Sequence, residues 1–154
     1  MDQSQLKDLV LAFFRSYPIM TIAVAKDNLP SSSVVAFHVD DDLTCYFVTQ
    51  KKSFKANILT VNDKMSFSVW KLDEMLVQAD AKAHLIPHGE DAPYFEKIAK
   101  SVSVLKDFWP PLAQISDDEY VVFAVKPYWM RVLDLKIKTI KVQNLPFTEV
   151  KLTP

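Results

Sequence analysis

Three histidines, one cysteine and one glycine set narrow limits on the chemistry open to this chain of 154 residues. His84 and His88 fall on a strand-like run and in the turn after it, too far apart to pair on a metal, and no carboxylate or cysteine cluster joins them. His38 lies in an alternating run, where a hydrogen-bonded structural histidine is the plain reading and a site role the alternative. Cys45 can form no internal disulfide, and its apolar surroundings read as those of a small buried hydrophobe. No Ser-His-Asp or Cys-His arrangement can be argued from spacing, and no acid–base pair is evident. Gly89 is the only glycine, against nine prolines. Glycine-rich phosphate loops and dinucleotide fingerprints need several glycines at fixed offsets, so both are excluded. A bound phosphate would have to be held by side chains and helix N-terminal amides.

The remaining polar groupings are open to two readings each. Lys51-Lys52-Ser53 with Lys55 is most simply a solvated, basic helix start. Ser31-Ser32-Ser33 is a strand start made of turn-formers. Trp129 and Arg131 are two apart in a strand and share a face, which suits a stacking and anion-binding pair or a plain dimer contact. Tyr94, Phe95, Phe108 and Trp109 read first as core and second as the lining of a substrate pocket.

The elements that would position these residues follow from periodicity. Leu6, Leu9, Val10, Phe13, Phe14 and Tyr17 recur at helical spacing, with Asp2 and Gln5 as a capping box and Pro18 as the stop. Ile19–Ala25 is a strand, Lys26-Asp27-Asn28 a turn, and Ser31–Val39 alternates with Val35, Phe37 and Val39 on one face. The acidic turn Asp40-Asp41-Asp42 returns the chain into a strand over Leu43–Thr49, which completes a hairpin. Ser53 caps a short helix with an expected buried stripe of Phe54, Ile58 and Val61. Met65, Phe67 and Val69 mark the next strand. Met75–Ile86 then alternates, with Val77, Ala79, Ala81, Ala83 and Leu85 inward and Gln78, Asp80, Lys82 and His84 outward. Small inward residues suit a tightly curved barrel wall. Residues 91–106 return to helical spacing, which Pro110-Pro111 ends. Tyr120–Val125 is a strand, Lys126-Pro127 a break, and Tyr128–Leu135 another strand. Lys136–Val142 is a candidate last strand, and the tail after Pro146 an edge or a loose end. Six or seven strands at short spacing with peripheral helices predict one mainly β domain, a small closed or split antiparallel β-barrel.

Composition bounds the function. Hydrophobic residues make up 49% and charged residues 24%, an ordinary globular balance. The formal net charge of -1 gives no electrostatic reason to expect nucleic acid or a membrane surface as partner. The start MDQSQLKDLV lacks the basic and apolar regions of a secretory signal, so a cytoplasmic location is the expectation.

The segment Pro30–Leu59, PSSSVVAFHVDDDLTCYFVTQKKSFKANIL, resembles the start of the FMN-binding split barrel of the pyridoxamine 5′-phosphate oxidase-like superfamily. The element order over roughly Leu6–Leu135 fits as well. In that superfamily a strand of the type P-S-x-R-x-V-x-x-K lies beside the flavin; here it reads Pro30 to His38, with Ser33 at the arginine position and His38 at the lysine position. The family's aromatic-Thr strand end becomes Phe47-Val48-Thr49. Its Ser-Arg-Lys phosphate turn becomes Ser53-Phe54-Lys55. The resemblance implies FMN as cofactor, with Ser32, Ser33, Val34, His38, Thr49, Lys52, Ser53 and Lys55 as its candidate contacts. It also implies a homodimer with the flavin at the interface, to which Trp129 and Arg131 of the second copy would contribute. A flavin-dependent oxidoreductase acting on a small molecule or a nicotinamide donor is the activity implied. Pyridoxamine 5′-phosphate oxidase activity itself is not, since the tail Lys136–Pro154 carries no Arg or His for a substrate phosphate. The alternatives are a haem- or deazaflavin-binding barrel and a cofactor-free dimer that binds another protein.

Overall fold

Asp27 and Asn28 take φ of 52° and 62°, the left-handed pair that a two-residue hairpin requires. They join β1 (Ile19–Lys26) to β2 (Leu29–Val39), which pair antiparallel from Lys26↔Leu29 to Ile19↔Ala36. The computed structural model describes residues 1–105, 118–136 and 147–154. Around this hairpin stand β3 (Cys45–Gln50), β4 (Lys64–Lys71), β5 (Met75–Leu85) and β6 (Tyr120–Asp134), with a short β7 (Thr148–Glu149). The strands run in the order β3-β2-β1-β4-β5-β6-β7, all antiparallel, and a further β3–β6 pairing closes the first six into a ring. Closure leaves no edge on those six strands.

Alternation sets the wall. Met20, Ile22 and Val24 of β1, Val35, Phe37 and Val39 of β2, and Val77, Ala79, Ala81 and Ala83 of β5 are all buried in one core. The run of alanines leaves room inside for Phe37, Phe47 and Phe123, each at most 1% exposed. Helix α1 (Gln3–Ser16) starts in the Asp2–Gln5 capping box and adds Leu6, Val10, Phe13 and Phe14 to the same core. The Phe14 ring meets Phe37 edge-on at 5.4 Å. Cys45 is fully buried, as its surroundings suggested, and burial pushes its thiol pKa far upward.

Helix α3 (Ala92–Val102) covers only one sector of the outer wall. Its Ile98 joins Tyr46 and Val122 in a second apolar cluster, and Tyr94 stacks on Tyr46 at 4.7 Å. The remaining outer wall, over β1, β4, β5 and the far half of β6, carries no helix of the described residues. Among those residues no helix is long and apolar enough to cross a membrane.

Three expectations need correction or limits. The buried residues of α2 (Phe54–Val61) are Ala56, Ile58 and Leu59, whereas Phe54 and Val61 are 65% and 67% exposed. Ala56, Ile58 and Leu59 form the face that joins the barrel core, and Phe54 and Val61 fall to the solvent side of it. Lys126-Pro127 does not break β6; the strand runs through it with a bulge, where Asp80 faces Trp129 and Ala81 faces Pro127. Proline is tolerated at such a bulge because the ladder is already interrupted. The tail forms β7 as an edge on Arg131 and Val132. Phe108, Trp109, Pro110-Pro111 and nearly all of the strand expected at Lys136–Val142 lie outside the described residues.

Candidate functional site

At the end of β3 three polar side chains converge. Thr49, only 7% exposed, has its Oγ1 3.1 Å from Ser53 Oγ, and Lys55 Nζ donates to Thr49 Oγ1 at 3.3 Å. The connector Lys51-Lys52 is pinned by Lys51 N donating to Glu119 O and Ser53 N donating to Gln50 O. Ser53 then caps α2: its backbone is extended and its hydroxyl accepts from Ala56 N at 3.2 Å. The amides of Phe54 and Lys55 lead the helix with no intrahelical acceptor, and the helix dipole adds a partial positive charge there. The Lys55 ammonium is half-buried, and desolvation lowers its pKa. Its one hydrogen-bond partner among the described residues is a neutral hydroxyl. A desolvated cation, two hydroxyls and free helix amides form a donor set suited to a phosphate dianion. Lys52 is exposed on the connector beside it, within a side chain's length of the same helix start.

The serines of β2 do not share a face. Ser32 and Val34 pair with Ala23 and Thr21 on the outer wall, and Val34 is 58% exposed. Ser33 pairs with Ile22, a fully buried residue, so alternation turns it to the inner side. His38 lies farther along, under α3. Its Nδ1 is 2.7 Å from Ser101 Oγ and its Nε2 is 2.9 Å from Asp40 Oδ1. Asp40, which stands 3.9 Å from Lys97 Nζ, also faces the Tyr46 hydroxyl, whose pKa is raised by burial first and by Asp40 second. Sequence spacing gave no hint of this Ser-His-Asp contact, which joins residues 63 positions apart. Ser101 sits at the C-terminal end of α3, where the helix dipole disfavours a developing oxyanion. The contact therefore reads as a strut that fastens α3 to β2. With both ring nitrogens engaged, His38 has none free for a metal, and no group of three metal-ligating side chains occurs among the described residues.

Trp129 and Arg131 share the outer face of β6, as their spacing implied. They border a hollow of about 280 Å³ with Thr21, Ala23, Ser66, Ser68, Gln78 and Asp80. Arg131 Nε donates to Gln78 Oε1 at 2.9 Å, and the guanidinium lies 4.0 Å from the Phe147 ring and 5.5 Å from the Trp129 ring. Gln78 and Phe147 were not among the sequence candidates, since only the fold brings them to Arg131. Cross-strand pairing makes one row across the wall: Val34, Thr21, Ser68, Gln78, Arg131. Four strand spacings separate its ends, about 19 Å along the sheet. Within one protomer the structure brings Thr49, Ser53 and Lys55 into one cluster, and Trp129 and Arg131 into a different hollow.

This wall, closed by the β3–β6 pairing and capped by α1, is that of a split-barrel protein. The sequence model of the pyridoxamine 5′-phosphate oxidase family matches residues 6–134, and the chain belongs to that family. Solved structures of the same fold include General Stress Protein 26 from Bacillus anthracis, at TM-score 0.65 and 18% identity over 83% of this chain and 93% of that one. An FAD-binding protein from Mesorhizobium loti matches at TM-score 0.65 and 15% identity, over 86% of this chain and 92% of that one. PhzG from Burkholderia lata, solved in complex with tetrahydrophenazine-1-carboxylic acid, matches at TM-score 0.62 and 15% identity, over 97% and 89%. At these identities the likeness is one of fold. No curated protein matches the chain in sequence.

Proposed function

We propose that this protein binds FMN, its phosphate at the start of α2 and its ring along the outer face of β2, and that it works as a homodimeric flavin-dependent oxidoreductase. The observation that carries the reading is the Thr49–Ser53–Lys55 cluster, in which the one hydrogen-bond partner of a desolvated ammonium among the described residues is a hydroxyl. Family membership and the FAD-binding relative of the same fold support it. A bound flavin supplies two-electron redox chemistry at its ring.

This chain's residues have binding and shielding roles. Lys55, Ser53 and the amides of Phe54 and Lys55 hold the phosphate, and Lys52 reaches it from the connector. Backbone groups and the side chains of Ser32 and Val34 line the ring's path. Ser33, turned inward, contributes through its backbone. His38 acts at one remove, by fixing α3 beside that path. Each charge-assisted bond contributes about 1.5–3 kcal/mol. With Ser33 and Phe54 in the places of the family's arginines, affinity rests on fewer cations, and weak, salt-sensitive binding is expected.

The second copy enters through distance. Trp129 and Arg131 lie four strands from Val34 along one wall, and in this reading they meet the flavin from the partner protomer. Exposed Val34, Trp70 and Leu72, at 58%, 54% and 68%, give the wall apolar area for such a contact.

The test is a visible absorption spectrum of the purified protein followed by an FMN titration. Twin flavin bands, or fluorescence quenching to one FMN per protomer, support the reading. A Soret band would move the assignment to haem. No colour and no FMN binding would overturn it in favour of a cofactor-free dimer.

A further inference from the structure

Next to the Trp129 row, the outer wall carries a row of a different character. Lys64 of β4 pairs directly with Lys82 of β5, and Lys82 with Lys126 of β6. Directly opposed side chains on neighbouring strands have Cβ atoms about 5 Å apart, and like charges so placed repel. All three lysines are exposed, and none forms an ion pair among the described residues, whose pairs involve Arg15, His38, Lys71, His88 and Lys97. Asp80 stands one row away on this face, diagonal to Lys64. The chain's net charge is -1, so three unpaired cations in one row are a local concentration.

The row lies in a concavity of about 710 Å³, bordered also by His84, Tyr128 and the segment Leu152–Pro154. The β6 bulge shapes it. Because Asp80 faces Trp129 and Ala81 faces Pro127, Tyr128 is the extra residue and stands outward, 57% exposed, beside Lys126. Bulges of this kind re-aim a side chain that regular alternation would bury. The result is an aromatic face next to three ammonium groups, in a hollow the size of a small-molecule site.

The geometry points to a second ligand site: this groove binds a small phosphorylated aromatic compound of the nucleotide class, its phosphate bridging Lys64, Lys82 and Lys126 and its ring against Tyr128. Three lysines in a bounded hollow suit one phosphate group, not the long stripe that a nucleic acid would need. The chain's own acidic turn is a poor partner for the row, since Asp41 is bonded to Arg15 and Asp40 to His38. The site is separate from the Ser53 cluster, which lies at the far end of the eight-residue α2, about 12 Å of helix away. It does not depend on the flavin reading.

Isothermal titration calorimetry on the full chain tests it with AMP, adenosine and inorganic phosphate, in the presence and absence of FMN. AMP is expected to bind one per protomer, more tightly than either adenosine or phosphate. Lys82→Gln with Lys126→Gln should weaken AMP about a hundredfold, and either alone about tenfold. Tyr128→Ala should weaken AMP and leave inorganic phosphate unchanged, while Lys100→Gln on α3 should change neither. Circular dichroism confirms that each variant is folded. No AMP binding, AMP binding indifferent to the double lysine substitution, or stoichiometric displacement of AMP by FMN would each overturn the assignment. So would loss of the dimer in the double variant by sedimentation, which would give the lysines to a second copy.

Discussion

Lys55→Met separates a binding lysine from a structural one because the two effects differ in sign. In the free protein the ammonium is half-buried, its pKa is lowered by desolvation, and its partner is the Thr49 hydroxyl at 3.3 Å. Methionine keeps the length and apolar stem of the side chain and removes the desolvated charge. The melting temperature of the flavin-free protein should therefore stay level or rise. Binding should move the other way. Loss of one charge-assisted bond to phosphate, about 1.5–3 kcal/mol, weakens FMN by about 10- to 150-fold. The assay is a flavin fluorescence titration of both proteins, beside thermal melts without ligand. Riboflavin, which lacks the phosphate, should bind the two equally. A less stable flavin-free variant with unchanged FMN affinity would refute the reasoning, because it would make Lys55 a packing residue.

The same site gives a pH dependence. A phosphate restores the charged form of Lys55, so its pKa is higher in the complex than in the free protein. FMN affinity should be full below the free-protein value and fall as pH rises through it, beginning below the ordinary 10.5; a titration in that range that is flat in the wild type, or identical in Lys55→Met, would count against this. Ser53→Ala removes the α2 cap as well as a phosphate donor, so it should lower stability by about 1 kcal/mol and weaken FMN together, read by melts and titration. Trp129→Ala should reduce FMN affinity or dimerisation without unfolding the barrel, and a normal dimer with normal affinity by sedimentation and titration would reduce Trp129 to a surface residue. Ala79→Leu places extra volume inside a closed wall and should cost about 1–3 kcal/mol in chemical denaturation.

Much of the barrel was legible because its wall is periodic. Met20, Ile22 and Val24, or Val77, Ala79 and Ala81, alternate so regularly that strand and inward face follow from two-residue spacing alone. Burial on α2 does not follow from sequence, because helical spacing identifies several stripes and only the neighbouring wall decides that Ala56 and Leu59, and not Phe54 and Val61, face it. The β6 bulge was hidden because Lys126-Pro127 signals an interruption without saying whether the strand resumes in the same ladder. At the site, Thr49, Ser53 and Lys55 fall within seven residues, so one strand end and one helix start position them. Contacts such as Gln78 with Arg131, or Ser101 with His38, join residues 53 and 63 positions apart and follow only from strand order and helix docking. The inward turn of Ser33 follows from the same two-residue alternation as Val35, Phe37 and Val39, and the register with Ile22 agrees with it.

Residue-resolved amide NMR of the labelled protein during an FMN titration tests the central claim most directly. The account predicts saturable shifts of the Ser53, Phe54 and Lys55 amides, together with those of Ser32 to Val34, and none of the Ser53–Lys55 shifts with riboflavin. FMN that binds while the Ser53–Lys55 amides stay still, or that moves no amide at saturating concentration, would contradict it.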